Sequence, residues 1–112
     1  MLVSELQTLI AARPLNEASD RQVECCYTCD LLSWVMAKGK RGCAWITVQT
    51  HMNVVAVASL HDMACIICPE GIEMEAENAK KAEEEGIAVL CTPKDAYEIC
   101  GLLYQAGIPG VD

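Results

Sequence analysis

Residues 42–71 read GCAWITVQTHMNVVAVASLHDMACIICPEG, and they parse as strand, polar turn, helix, strand and turn. Cys43 to Val48 is a short apolar run, partly β-branched, the pattern of a strand buried on both faces. Gln49-Thr50-His51 interrupts it. Met52 to Leu60 predicts a helix of small apolar residues, and Met63 to Cys68 a second buried strand, stopped by Pro69. Two parallel strands joined by one crossover helix make a βαβ unit. Open α/β sheets bind ligands outside the carboxyl ends of their strands. The turn Thr50-His51-Met52-Asn53 falls just past such an end, so Thr50, His51 and Asn53 are candidate binding residues.

Toward the N-terminus, Val23 to Cys29 predicts another strand. Asp30 suits the N-cap of a helix whose Leu31, Leu32, Val35 and Met36 form an apolar stripe, closed by Gly39 or Gly42. Ser4-Glu5-Leu6-Gln7 has the capping-box pattern and opens a first helix with Leu6, Leu9 and Ile10 on one face. Arg13-Pro14 is expected to end it, and Leu15 to Arg21 to run as a loop near a sheet edge. Toward the C-terminus, Glu73 to Glu85 predicts a helix burying Ala76, Ala79 and Ala82. Its charges face solvent, and Gly86 is its C-cap. Ile87 to Cys91 is the last predicted strand. Thr92-Pro93-Lys94-Asp95 opens a final helix, with Pro at the first position and an acid in the first turn. Ala96, Ile99, Cys100, Leu103 and Ala106 carry its packed face, and Gly107 ends it. The sum is one domain over residues 1–112: a doubly wound, mainly parallel α/β sheet of four to five strands, covered on both faces.

Composition narrows the function. The chain is 53% hydrophobic yet has no Phe, and its formal net charge is −8. An acidic surface repels phosphate backbones and anionic headgroups, so neither nucleic acid nor membrane is an expected partner. No apolar run reaches the roughly 18 residues that a spanning helix needs. The N-terminal residues lack the basic-then-apolar order of a signal peptide, so a cytoplasmic location is expected. Two sheet edges in so small and apolar a chain predict a homodimer or a stable complex with a larger protein.

The usual chemistries of this architecture can be tested in turn. No strand-to-helix turn is Gly-rich, and Asp30, Glu70, Glu73 and Asp95 sit where a phosphate would be held. A receiver domain needs paired acids after the first strand, a phospho-accepting Asp after the third and a Lys after the last; here Asp30 stands alone, and the third and last strands end in Cys68 and Cys91. A hydrolase needs a nucleophile elbow or a triad, and no such motif is present. His61, at a helix end, suits capping of carbonyls. The chain is expected not to be an enzyme.

Eight cysteines, at positions 25, 26, 29, 43, 65, 68, 91 and 100, are the compositional anomaly. They lie inside apolar runs and read as reduced core thiols, which suits a reducing or anaerobic cell. Cys26-x-x-Cys29 and Cys65-x-x-Cys68 have redox spacing, but positions three apart in a strand face opposite sides. Cys29, Cys68 and Cys91 each end a predicted strand. An alternative function is therefore a zinc or iron–sulfur protein using these three as metal ligands with His51 beside them. Otherwise no cofactor is expected.

One set of residues resembles a known family: Asp20-Arg21-x-Val23; Tyr27-x-x-Asp30-Leu31-Leu32-Ser33-x-Val35-Met36; Trp45-Ile46-Thr47; Gln49-Thr50-His51-x-Asn53; and Gly86-Ile87 followed by Thr92. Together they resemble the DRTGG domain, an α/β module similar in fold to the N-terminal domain of HPr kinase/phosphorylase. The resemblance runs from about Asp20 to Ile108. It is greatest to the short single-domain members found near hydrogenase and other iron–sulfur redox proteins of anaerobes. It implies a non-catalytic regulatory or accessory role and a hydrogenase-type or other redox partner. The Asp-Arg of the family signature would fall near Thr50-His51, and its Thr-Gly-Gly near Pro69-Glu70-Gly71; this chain carries other residues at both. The expected ligand- or partner-binding set is Asp30, Thr50, His51, Asn53, Pro69, Glu70 and Gly71.

Overall fold

The computed structural model describes residues 1–112. In chain order the elements are α1 (Val3–Leu9), β1 (Arg13–Pro14), β2 (Cys25–Thr28), α2 (Leu32–Lys38), β3 (Cys43–Ile46), α3 (Met52–Leu60), β4 (Cys65–Cys68), α4 (Ala76–Glu84), β5 (Ala88–Cys91) and α5 (Ala96–Gln105). The five strands form one sheet in the order β1-β5-β4-β3-β2. β2 to β5 are parallel and β1 is antiparallel to β5. This is the expected α/β class. No helix is long and apolar enough to cross a membrane.

The parallel strands follow one another without a reversal of order. Right-handed crossovers then place every connecting helix on one side. The two buried clusters follow that division. Val35 of α2, Val54 and Ala58 of α3, and Ala79 and Ala82 of α4 pack on Cys43, Trp45, Ile66 and Val89. On the other face, Leu6 and Ile10 from the α1 segment and Ile99 and Leu103 of α5 pack on Ala44, Ile46, Cys65 and Leu90. Both faces are covered, but the strand order does not reverse and so offers no switch point at which to locate a ligand. The alternation also separates the Cys-x-x-Cys pairs. Cys65 lies in one cluster and Cys68 in the other.

Polar groups inside this frame are all used. The fully buried Trp45 donates its indole Nε1–H to the Cys29 carbonyl at 2.9 Å. Asn16 donates to the Ala79 and Ile87 carbonyls and accepts from the Val89 N–H, tying the N-terminal loop to α4 and β5. Arg21 donates to the Met63 carbonyl at 2.8 Å. No buried side-chain nitrogen or oxygen lacks a partner.

The structure corrects several local expectations. Arg13 and Pro14 do not merely end α1; they form the edge strand β1, paired with Cys91 and Leu90. Ser4 is not the N-cap of α1: the helix starts earlier, Glu5 accepts from the Leu2 N–H at 2.8 Å, and Ser4 bonds Asp20 instead. Asp30 does not cap α2, whose N-cap is Leu31. Of the α2 stripe, Val35 is buried while Leu31 and Met36 are exposed, and Ala76 and Ala106 are exposed as well. Neither β5 nor β2 is left a bare edge. β1 covers one, and Gly110 pairs with Cys26 along the other.

Candidate functional site

The carboxyl ends of β2 to β5 carry a rim of loops braced by side chains. At its first station, Asp30 accepts from Thr47 Oγ1 at 2.8 Å and from the Val48 N–H at 2.9 Å. Gln49 returns the link, donating through Nε2 to the Asp30 carbonyl at 3.2 Å and through its N–H to Thr47 Oγ1. The short side chain of Asp satisfies loop donors as readily as helix donors, which is why it staples here rather than caps. On the far side, Asn78 of α4 donates through Nδ2 to the Thr50 carbonyl at 3.1 Å. The turn before α3 is therefore held from both flanks.

His51 is the N-cap of α3, with extended backbone, an exposed ring and no side-chain capping bond. Asn53 is exposed in the first turn, where it lines a groove of about 340 Å³ with Leu32, Ser33 and Met36. His61 behaves as expected of it, meeting a carbonyl: its Nε2 lies 2.8 Å from the Met36 oxygen at the end of α2.

The second station is the turn after β4. Pro69 is buried, and Glu70 and Gly71 both adopt left-handed backbone, φ 58° and 73°. Such a pair is cheap only where glycine takes one of the positions. Their N–H groups donate to the Lys94 and Thr92 carbonyls at 2.9 Å. Thr92 is buried and donates to the Ile10 carbonyl at 2.7 Å, anchoring the loop that leads to α5. Asp95 caps that helix through the Glu98 N–H at 2.9 Å. Beside this turn lies a cavity of about 320 Å³, lined in part by Arg13, Gly71, Cys91 and Pro93. Arg13 is paired there with Glu73 at 2.9 Å.

The predicted set therefore falls into two groups. Asp30, Thr50, His51 and Asn53 gather about the β3–α3 turn, whereas Pro69, Glu70 and Gly71 belong with the β5–α5 loop and β1. Thr47, Gln49, Asn78 and Arg13 were not in the sequence-based set. Thr47, polar at the end of an apolar run, and Asn78, an amide among charges, were the available signals.

The cysteine set is not brought together. Cys68 and Cys91 are partners across β4 and β5, but β3 separates Cys29 from them, a gap of about 10 Å at ordinary strand spacing. No three His, Cys, Asp or Glu side chains converge as metal ligands. Burial, with Cys91 adding to it, pushes the Cys68 thiol up to about 12. That opposes the thiolate form that a metal requires.

The fold and rim define a class: a small, mainly parallel α/β module with a braced strand-end rim. Among solved structures, the chain is similar to the CBS and DRTGG domains of the regulatory region of Clostridium perfringens pyrophosphatase, a structure complexed with the activator diadenosine tetraphosphate. The TM-score is 0.73 at 16% identity, covering 96% of this chain and 47% of that one. The likeness is one of fold, and the chain spans about half the length of its neighbour. No family model and no curated protein matches the chain.

Proposed function

We propose that this chain is a non-catalytic regulatory or accessory module of the DRTGG type, binding a partner protein or a small polar ligand at its strand-end rim. The observation that carries the reading is the β3–α3 turn. Asp30 and Asn78 brace it from both sides while His51 and Asn53 stay exposed on it. A ring that can donate and accept, beside an amide that does both, recognises polar groups without reordering the backbone. The similarity in fold to a regulatory region supports the non-catalytic part. The family resemblance extends the reading to a hydrogenase-type or other iron–sulfur redox partner.

A polyphosphate is the wrong ligand for this rim. Arg13 is paired with Glu73, Lys94 with Glu98 at 2.9 Å, and the net charge is −8. Titration calorimetry with diadenosine tetraphosphate should therefore give no binding; micromolar binding would refute this point. The main test is anaerobic affinity capture with His51→Ala. Stability should change by at most about 1 kcal/mol. Recovery of the co-purifying partner should fall about tenfold, the loss of one good hydrogen bond. Undiminished recovery removes the turn from the site.

A further inference from the structure

Six of the eight exposed large apolar side chains, Leu31, Trp34, Met36, Val48, Met52 and Leu60, lie on α2, on α3 or in the loops leading into them. α3 is apolar apart from Asn53 and Ser59. Val54, Val55, Val57 and Ala58 are buried beneath it, while Met52, Ala56 and Leu60 form an exposed stripe at i, i+4, i+8. Leu60 is 67% exposed. A contiguous exposed apolar stripe marks an interaction surface rather than a solvated face. Shallow grooves flank the stripe, about 370 Å³ toward α4 and about 340 Å³ toward α2, and Ala56 lines both.

Charge and shape select the occupant. Lys38 is the one charged residue of α2 and α3, and it is tied to Asp112 at 3.3 Å. In a chain of net charge −8, this is the face on which two copies can meet without like-charge repulsion. We propose that two copies of this chain associate through the α2–α3 face, antiparallel about a two-fold axis at Ala56. That operator sets Met52 of each copy against Leu60 of the other and lets the backbones approach at the small central residue. The groove toward α4 carries Lys81 and Glu85 at its margin. The same rotation places each Lys81 opposite the other copy's Glu85. Such self-complementarity is what an isologous interface requires, with an apolar, Met-containing, charge-depleted centre.

Sedimentation equilibrium tests the proposal, using the wild type, Ala56→Arg, Lys81→Glu, the Lys81→Glu/Glu85→Lys double variant, and Tyr104→Lys on the exposed face of α5. Wild type and Tyr104→Lys should have the dimer mass at about 50 μM. Ala56→Arg should be monomeric yet folded, with a wild-type far-UV spectrum, because Arg is a good helix former at an exposed position. Lys81→Glu should weaken association about tenfold by setting like charges face to face, and the double variant should restore it. A monomeric wild type overturns the proposal. So does a dimer that survives Ala56→Arg, one that Tyr104→Lys dissociates, or a monomer that binds only a different protein through this face. His51→Ala leaves this face intact, so failure of the rim reading and failure of the dimer are read separately.

Discussion

α3 and α4 are adjacent crossover helices of nine residues each, packed on the same side of the sheet. Their inner faces do the same job, four apolar residues in one and two alanines in the other. Their outer faces differ completely. α4 shows solvent Lys80–Glu83, Lys81–Glu84 and Lys81–Glu85 pairs at 3.0, 3.9 and 3.4 Å, whereas α3 shows Met52, Ala56 and Leu60. Folding demands only the inner face; the outer one is free to serve solubility or association. α4 holds itself with pairs of i,i+3 and i,i+4 spacing, while α3 is held by helices on either flank.

Burying a carboxylate beneath either helix should erase the difference between them. Val55→Asp and Ala82→Asp each leave an unpaired charge in the core, and each should cost more than about 4 kcal/mol. Urea unfolding of the two variants measures this. Normal folding of either would show that the inner faces are not equivalent.

Alkaline pH probes both layers at once. Cys43 and Cys68 lie under the α2–α4 layer, and Cys65 under α1 and α5 with Cys26 packed against that same cluster. Burial pushes Cys26, Cys65 and Cys68 up to about 12, and Cys43 upward too. The thiols stay protonated in the fold while the unfolded chain ionises near the ordinary 9.0. Their contribution is therefore complete below pH 9 and is lost as pH rises toward 12. Each thiol can remove up to about 1.4 kcal/mol per pH unit. Melting temperatures should fall above pH ~9, less steeply in Cys68→Ala and Cys65→Ala. A flat profile would contradict the burial of these thiols.

The smallest effects lie on the outer faces. Lys81→Ala and Leu60→Ser should each change folding stability by no more than about 0.5 kcal/mol. The Lys81 effect should vanish at high salt. Only Leu60→Ser should move the sedimentation mass strongly, because it removes one of the two large side chains of the stripe. Equal masses for the two variants would remove the contrast between the helices.

What the sequence revealed depended on how local its cause was. α3 was legible to its end residues because a run of small apolar residues between a polar turn and His61 admits no other element. β3 and β4 were legible because both faces of each are apolar. β1 was not: two residues with a Pro carry no period, and its pairing with β5 joins parts of the chain far apart. Leu31 and Met36 show the limit of hydrophobic stripes, since an apolar residue signals burial without saying against which molecule. At the site, Asp30 was found for the wrong reason, as a cap rather than a staple. Asn78 was missed because its partner, the Thr50 carbonyl, is on another helix's turn.

The edge strand β1 has a consequence for the behaviour of concentrated protein. The Leu15 N–H points inward to the Val89 carbonyl at 2.8 Å, so by alternation position 14 directs its nitrogen outward. That residue is Pro14, which has no hydrogen there to offer. An incoming strand would find an acceptor without its matching donor. Proline there blunts edge-to-edge pairing along this side, as it commonly does on the edge strands of natural sheets.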